Sequence, residues 1–291
     1  MTCEMTLTYQ TRLRLDEREQ TILNECACLL NSVEHSLYVQ TAKGKTSASC
    51  KNAFLKIYGI TARQFNACRV SLEGKISACK AGAIQAIASL KQKLGSLEKK
   101  IKQLEKKPSK HFVLHQKKRR KDILSNRLIC LEEDQKHGRI RLCFGGKKLF
   151  RAQFHLEKNG FSSHEQWKKA WKEQRNSEFF VLGSKDETAG NQTCTATLKN
   201  GSLSLRLRLP TTLKEKFGKY LEIENVNFAY GQEAVLASLN HPDGEALSYR
   251  FKRDGKSWKL FVTTALKKTR LFQKKARESL ELTSILIISL M

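Results

Sequence analysis

The sequence is short of several things, and each shortage excludes a class of protein. Among its nine cysteines no pair stands at the Cys-x-x-Cys spacing of a zinc ribbon, which removes the commonest small metal-stabilised folds. The longest uncharged apolar run, Leu282 to Met291, is far shorter than the roughly 20 residues a helix needs to cross a bilayer, so no membrane span is expected. The first dozen residues alternate and carry charge, unlike an export leader, and reduced thiols in a cytoplasm are the simplest expectation. Acid is scarce. Against 54 Lys and Arg there are 28 Asp and Glu, a formal charge of +26 with a pI near 9.8. Such a chain repels itself and attracts polyanions, of which nucleic acid is the commonest. The alternatives are a merely soluble basic surface or a membrane-surface binder.

Catalytic constellations are also missing. Phe144-Gly145-Gly146-Lys147-Lys148 invites comparison with a phosphate loop. A Walker loop needs a glycine five residues before the Gly-Lys pair and a Ser or Thr after the lysine, but Arg141 and Lys148 stand there. His111 and His115 lie one helical turn apart with no carboxylate or thiol cluster nearby to complete a metal site. Glu132-Glu133-Asp134 and Asp186-Glu187 are adjacent acids that diverge on a helix or loop, whereas a two-metal nuclease needs convergent carboxylates. No catalytic residue, metal ligand or cofactor is therefore expected.

What is present is a change of hydrophobic period along the chain. With 40% hydrophobic residues, its 291 positions can build a sizeable core. Met5, Leu7, Tyr9 and Thr11 alternate as a strand, after which Asp16 with Glu19 forms a capping box. Ile22, Leu23, Cys26, Leu29, Leu30, Val33 and Leu37 then recur at helical spacing up to Lys43-Gly44-Lys45. A short helix carries Phe54, Leu55 and Tyr58, and Thr61 with Gln64 caps the longest helix. There Ala83, Leu90, Leu97 and Leu104 are seven apart, with Ile87, Leu94 and Ile101 between them, a heptad that demands a partner helix. Pro108 stops it. Leu114, Ile123, Leu124, Leu128 and Leu131 predict a returning helix, so an antiparallel hairpin is the economical solution and an oligomer through the heptad helix the alternative.

Beyond Gly138 the pattern turns to strands. Ile140, Leu142 and Phe144 alternate with Arg139, Arg141 and Cys143. Trp167 and Trp171 sit one turn apart on a helix, where core packing is the more ordinary role for indoles than base stacking. Leu203, Leu205, Leu207 and Leu209 alternate with Ser204, Arg206 and Arg208; Leu221, Ile223, Val226 and Phe228 suggest a further strand. Leu247 to Lys252 and Ser257 to Thr263 flank Asp254-Gly255, a hairpin signal. The expected fold is α+β: an antiparallel oligonucleotide-binding-type wedge barrel with a helical domain inserted after its first strand. The boundaries read as 1–14 for that strand, 15–136 for the insertion, 137–265 for the rest of the barrel and 266–291 for a linker and tail.

Positive charge concentrates on the hairpin. Lys91, Lys93, Lys99, Lys100, Lys102, Lys106, Lys107, Lys110, Lys117, Lys118, Arg119, Arg120 and Lys121 face only Glu98, Glu105 and Asp122. A charged helical face is usually just solvated, but solvated faces mix signs and this one is lopsided. The candidate phosphate ligands are Lys106, Lys107, Lys117, Lys118, Arg119, Arg120, Lys147 and Lys148, with Arg206 and Arg208 on the barrel face.

Three stretches carry a family resemblance. Gly59-Ile60-Thr61-Ala62-Arg63-Gln64-Phe65-Asn66 with Ser71-Leu72-Glu73-Gly74-Lys75, Arg141 to Phe150, and Phe179 to Gly190 resemble TnpB-type, OrfB-family transposon proteins over about residues 5–265. The resemblance implies a wedge barrel with a helical recognition domain, a prokaryotic cytoplasmic setting, and guide RNA and target DNA as partners, with base pairing supplying most of the specificity. In that family a RuvC-like nuclease with three metal-binding acids and a zinc finger follows. Here Leu280-Glu281-Leu282-Thr283-Ser284-Ile285-Leu286-Ile287-Ile288 stands where the family's first nuclease strand, Gly-Val-Asp-Ile-Asn, is expected. One permitted coding of Glu281 to Ile288, read from its third base, gives Val-Asp-Ile-Asn-Leu-Asp-His, so a frameshift is the favoured explanation of the ending. The expectation is a nucleic-acid-binding fragment without nuclease activity. A decayed transposon product and a coiled-coil interaction protein are its rivals.

Overall fold

The computed structural model describes residues 5–199, 201–240 and 245–266. The tail from Lys267, with its expected frameshift and apolar run, lies outside the described residues. In chain order the elements are β1 (Met5–Arg12), α1 (Glu17–Ala42), α2 (Ser47–Tyr58), α3 (Ala62–Glu105), α4 (His111–Lys136), α5 (Lys147–Ala152), α6 (His164–Arg175), β2 (Glu178–Val181), β3 (Cys194–Lys199), β4 (Ser202–Arg208), α7 (Lys214–Phe217), β5 (Tyr220–Val226), α8 (Gln232–Leu239), β6 (Ser248–Asp254) and β7 (Ser257–Leu266). The chain packs as two units, one formed by residues up to Cys68 together with those from Lys172, the other by Arg69–Trp171.

Both capping boxes form. The Glu19 amide donates to Asp16 Oδ1 (2.6 Å) and the Asp16 amide to Glu19 Oε2 (2.8 Å), which satisfies two orphan donors where α1 begins. At α3 the Gln64 amide donates to Thr61 Oγ1 and the Thr61 amide to Gln64 Oε1, at 3.2 and 3.0 Å. Each such cap contributes roughly 1 kcal/mol. Past its cap, α1 buries Ile22, Leu23, Cys26, Leu30, Val33 and Leu37 on one stripe. Asn31, on the same face, is buried too; its Nδ2 donates to the Glu178 carbonyl (2.6 Å) and so ties α1 to β2. Burial pushes the Cys26 thiol up to about 12, with Glu25 adding to it, so this cysteine packs as a hydrophobe.

The strands form two antiparallel sheets, ordered β1-β7-β6-β2 and β3-β4-β5, and the fold is α+β. The hairpin signalled by Asp254-Gly255 joins β6 to β7, with Asp254 opposite Ser257 and the two-residue turn at Gly255 and Lys256, Gly255 at φ 62°. Tyr249, Phe251, Trp258, Leu260 and Val262 are nearly inaccessible between these strands and their cover, and Phe251 stacks on Phe179 of β2 at 4.8 Å. In the second sheet, β4 buries Leu203, Leu205 and Leu207 and exposes Arg206 and Arg208, but it also buries Ser204, expected on the outer face. Its partner β5 carries one extra residue between Ile223 and Val226, and Asn225 takes φ 57° there. That bulge explains why Leu221, Ile223, Val226 and Phe228, all buried, do not keep a strict period of two.

Two expectations need correction. Neither sheet closes into a barrel among the described residues. Between β2 and β3 the chain makes a packed polar turn in place of strand pairing. Asn191, fully buried, donates to the Leu247 carbonyl (2.8 Å) and accepts from the amides of Thr193 and Cys194. The alternating segment 139–143 joins neither sheet. Its alternation serves a different end, because Arg139 and Arg141, two residues apart, both reach Asp134, at 3.2 and 2.7 Å.

In the unit Arg69–Trp171, α3 and α4 form the expected antiparallel hairpin. Ile87, Leu90, Leu94, Leu97 and Ile101 are buried in its seam, so the heptad is occupied within the chain. On α4, Leu114, Leu124, Leu128 and Leu131 are half-buried, while Ile123 is 60% exposed and belongs to the outer face. The Asp134 carboxylate, placed unfavourably near the C-terminus of α4, is held below the usual carboxylate range by its hydrogen bond from Arg141 and the charges of Arg141 and Arg139. A depressed folded value means that its contribution is present above the ordinary value and fades as pH falls through the depressed one. Asp134→Asn is therefore expected to lower the melting temperature at neutral pH, with the gap to the parent narrowing once the pH drops below about 4. Thermal melts across pH check this, and a pH-independent gap would contradict it.

Candidate nucleic-acid interface

The two edges of the hairpin seam differ in charge. With Ile87, Leu94 and Ile101 taken as heptad position a and Leu90, Leu97 and Leu104 as d, the e positions are Lys91, Glu98 and Glu105. Each reaches across to α4: Lys91 to Glu132 (2.8 Å), Glu98 to Lys121 (2.9 Å) and Glu105 to Lys118 (2.9 Å). The order reverses along α4, as antiparallel helices require. The bond from Lys121, and then its charge, holds the Glu98 carboxyl below its ordinary value. Exposed pairs of this kind add little to stability, and their larger effect is to fix register.

On the other edge the g positions are Lys93 and Lys100, and α4 sets Lys117 and Arg120 opposite them. These four cations, with Gln92, Ser96, Leu97 and Leu124, line one groove, and no carboxylate is among its lining residues. Like charges therefore face each other where an ordinary coiled coil places opposite ones. Lys93 and Lys100 lie roughly 10 Å apart along α3 at 1.5 Å per residue, so the groove presents a row of positive charge. A row suits successive phosphates better than a single anion.

The residues nominated from the sequence fall into distinct places. Lys117 and Arg120 lie in the groove, and Lys118 is engaged with Glu105 on the opposite edge. Lys106, Lys107 and Arg119 are exposed, the first two just beyond the end of α3. Lys147 and Lys148 are exposed in the first turn of α5. Arg206 and Arg208 project from β4 in the other unit; Arg206 lies 3.9 Å over the Tyr220 ring and 3.7 Å from Glu222. Lys93 and Lys100 were visible in the basic cluster but were not singled out. The signal that finds them is the contrast between the e and g positions.

The adjacent acids are engaged separately. Glu132 meets Lys91, Asp134 meets the two arginines, and the buried Glu187 carboxylate pairs with Arg63 while Asp186 is exposed. His111 and His115 are both exposed on α4. Among the described residues no group of three or more His, Cys, Asp or Glu is placed to hold a metal ion, and no helix is long and apolar enough to cross a membrane.

Repulsion across the groove has a measurable consequence. Lys93→Gln with Lys100→Gln is expected to raise the melting temperature by about 1–3 °C at low salt. In about 1 M salt, where charges more than about 3 Å apart are screened, the difference should vanish. A destabilised double variant at low salt would mean that these lysines hold the hairpin together.

No family model, curated protein or solved structure matches the chain.

Proposed function

We propose that the chain is a nucleic-acid-binding protein that grips phosphate backbone through the groove of its helical hairpin and performs no catalysis. The observation that carries the reading is the all-cation edge of Lys93, Lys100, Lys117 and Arg120, opposite an edge whose charges are neutralised in pairs. A merely solvated helical face has no reason to sort its charges this way, whereas each phosphate seated there releases condensed counterions.

The resemblance to TnpB-type proteins supports a finer version. In it the two sheets correspond to an oligonucleotide-binding-type wedge, the hairpin belongs to the recognition domain, and the ligands are guide RNA and target DNA. The strand pairing of β1 with β7 around the helices favours that version, since it makes the helical block an insertion into a sheet. Base pairing would then supply sequence specificity and the protein mainly charge.

Binding of labelled RNA and DNA, followed by anisotropy over a range of salt, tests the reading. The parent should show a steep negative slope of log K against log salt. The variant Lys93→Gln, Lys100→Gln, Lys117→Gln, Arg120→Gln should bind more weakly and lose about 0.9 in slope for each duplex phosphate contact removed, about 3.6 if all four cations contact phosphate. An unchanged slope in the folded variant would move the site to the β4 face with Arg206 and Arg208. Added magnesium should produce no cleavage; cleavage abolished by a substitution within the chain would make it an enzyme after all.

A further inference from the structure

Trp167 and Trp171 do not lie in a core, because α6 buries none of its residues. They form an aromatic cluster with α5 and the turn after it. The two indoles lie face to face at 5.9 Å with 21° between planes, Phe150 meets Trp171 at 5.5 Å, and Phe154 meets Phe150 edge-on at 6.3 Å. Trp167 Nε1 donates to the Leu149 carbonyl (2.8 Å), which anchors that ring by its edge. Packing α6 against α5 accounts for part of this cluster. It does not account for Phe154, 67% exposed, or Phe150, 44% exposed. A cluster that served only packing would cover its outermost rings.

The charge around the cluster selects the occupant. Lys147 precedes Phe150 by three residues on α5, and Lys168 precedes Trp171 by three on α6, so both sit one turn from an aromatic on the same helical face. Lys148, Arg151 and Lys169 add to them, and α5 contains no acid. Flat exposed rings flanked by cations match a ligand that is itself flat-ringed and anionic. Single-stranded nucleic acid has both properties, whereas a duplex keeps its bases stacked on one another.

We propose that the Phe150–Phe154–Trp171 cluster is a stacking platform for unpaired bases of a single strand, with Lys147 and Lys168 on its backbone. The proposal rests on the nucleic-acid reading above and assigns a second, base-contacting site in the same unit. The hairpin groove then holds phosphates whether or not the bases are paired, and the platform distinguishes single strands from duplexes.

Intrinsic tryptophan fluorescence of the full chain reads this directly, because Trp258, the third tryptophan, is buried at 1% exposure and serves as a constant background. Single-stranded oligoadenylate should quench the emission, whereas a blunt RNA duplex and heparin, a polyanion without bases, should bind and leave it unchanged. Phe150→Ala with Phe154→Ala should weaken single-strand binding about tenfold and leave duplex binding intact. Both rings are exposed enough that the fold should survive; a duplex affinity equal to the parent's confirms that it has. Single-strand binding without quenching, equal quenching by heparin, or an unaffected double variant would overturn the platform while leaving the phosphate groove standing. Quenching by anionic phosphatidylglycerol vesicles in place of oligoadenylate would replace it with a membrane-surface site. Failure of every nucleic acid to bind would overturn both readings together.

Discussion

Strand β7 is the element on which the sheet containing it depends. It pairs with β1 from Met5↔Leu266 to Arg12↔Lys259 and with β6 from Ser248↔Thr263 to Asp254↔Ser257, so a central strand comes from the last described residues. The first strand cannot be paired until nearly the whole described chain has been made. Closing so long a loop has an entropic cost that grows only slowly with length, but it delays the reward for pairing. Side-chain contacts reinforce the join. Thr8 and Thr263 share a hydrogen bond at 3.0 Å, and Thr11 Oγ1 donates to the Asn227 carbonyl. Gly231, at φ 78°, lies so close to the Tyr9 ring that an added Cβ would overlap it. Everything between β1 and β2 is thus a helical excursion from a sheet whose closing strand arrives late.

Legibility in the sequence followed the reach of the interactions. Capping boxes at Asp16 and Thr61, the Asp254-Gly255 turn and the heptad are local patterns, and each was readable because the residues that make it lie within a few positions of one another. Segment 139–143 misled because alternation has two causes. A strand alternates to present one face to a core, whereas Arg139 and Arg141 alternate to present two guanidiniums to one carboxylate. The open form of the sheets was not legible either. The turn between β2 and β3 is held by Asn191, a single polar residue whose partners include Leu247, far along the chain, and no periodicity announces such a junction. Ile123 kept the apolar character of the seam while its position turned it outward.

The candidate site was legible as a region and not as a geometry. Counting lysines located the hairpin, but it ranked Lys118 beside Lys117, two neighbours that belong to opposite edges. Adjacent helical residues are separated by about 100° of rotation, and that rotation decides the outcome here. Lys118 is spent on register with Glu105, while Lys117 faces Lys93 and Lys100 across an edge with no counter-charge. The e and g positions of one heptad helix therefore do opposite work.

That division resolves how so basic a hairpin can persist before any ligand arrives. Repulsion along the g edge is modest, because the four cations are hydrated and screened at physiological salt. It is offset on the e edge by three cross-helix ion pairs, and beneath both by a buried seam from Ile87 to Ile101. Each fully buried leucine or isoleucine in such a seam is worth roughly 1.5–3 kcal/mol, several times any single exposed ion pair. The apolar seam thus sets the stability, and the surface charges are left to set register on one side and a positive field on the other. A fold arranged this way can carry an unneutralised row of charge as a standing feature, with no conformational change needed to expose it. The aromatic cluster shows a similar division: Trp167 is anchored by its edge to the Leu149 carbonyl, and Phe150 and Phe154 beside it stay exposed.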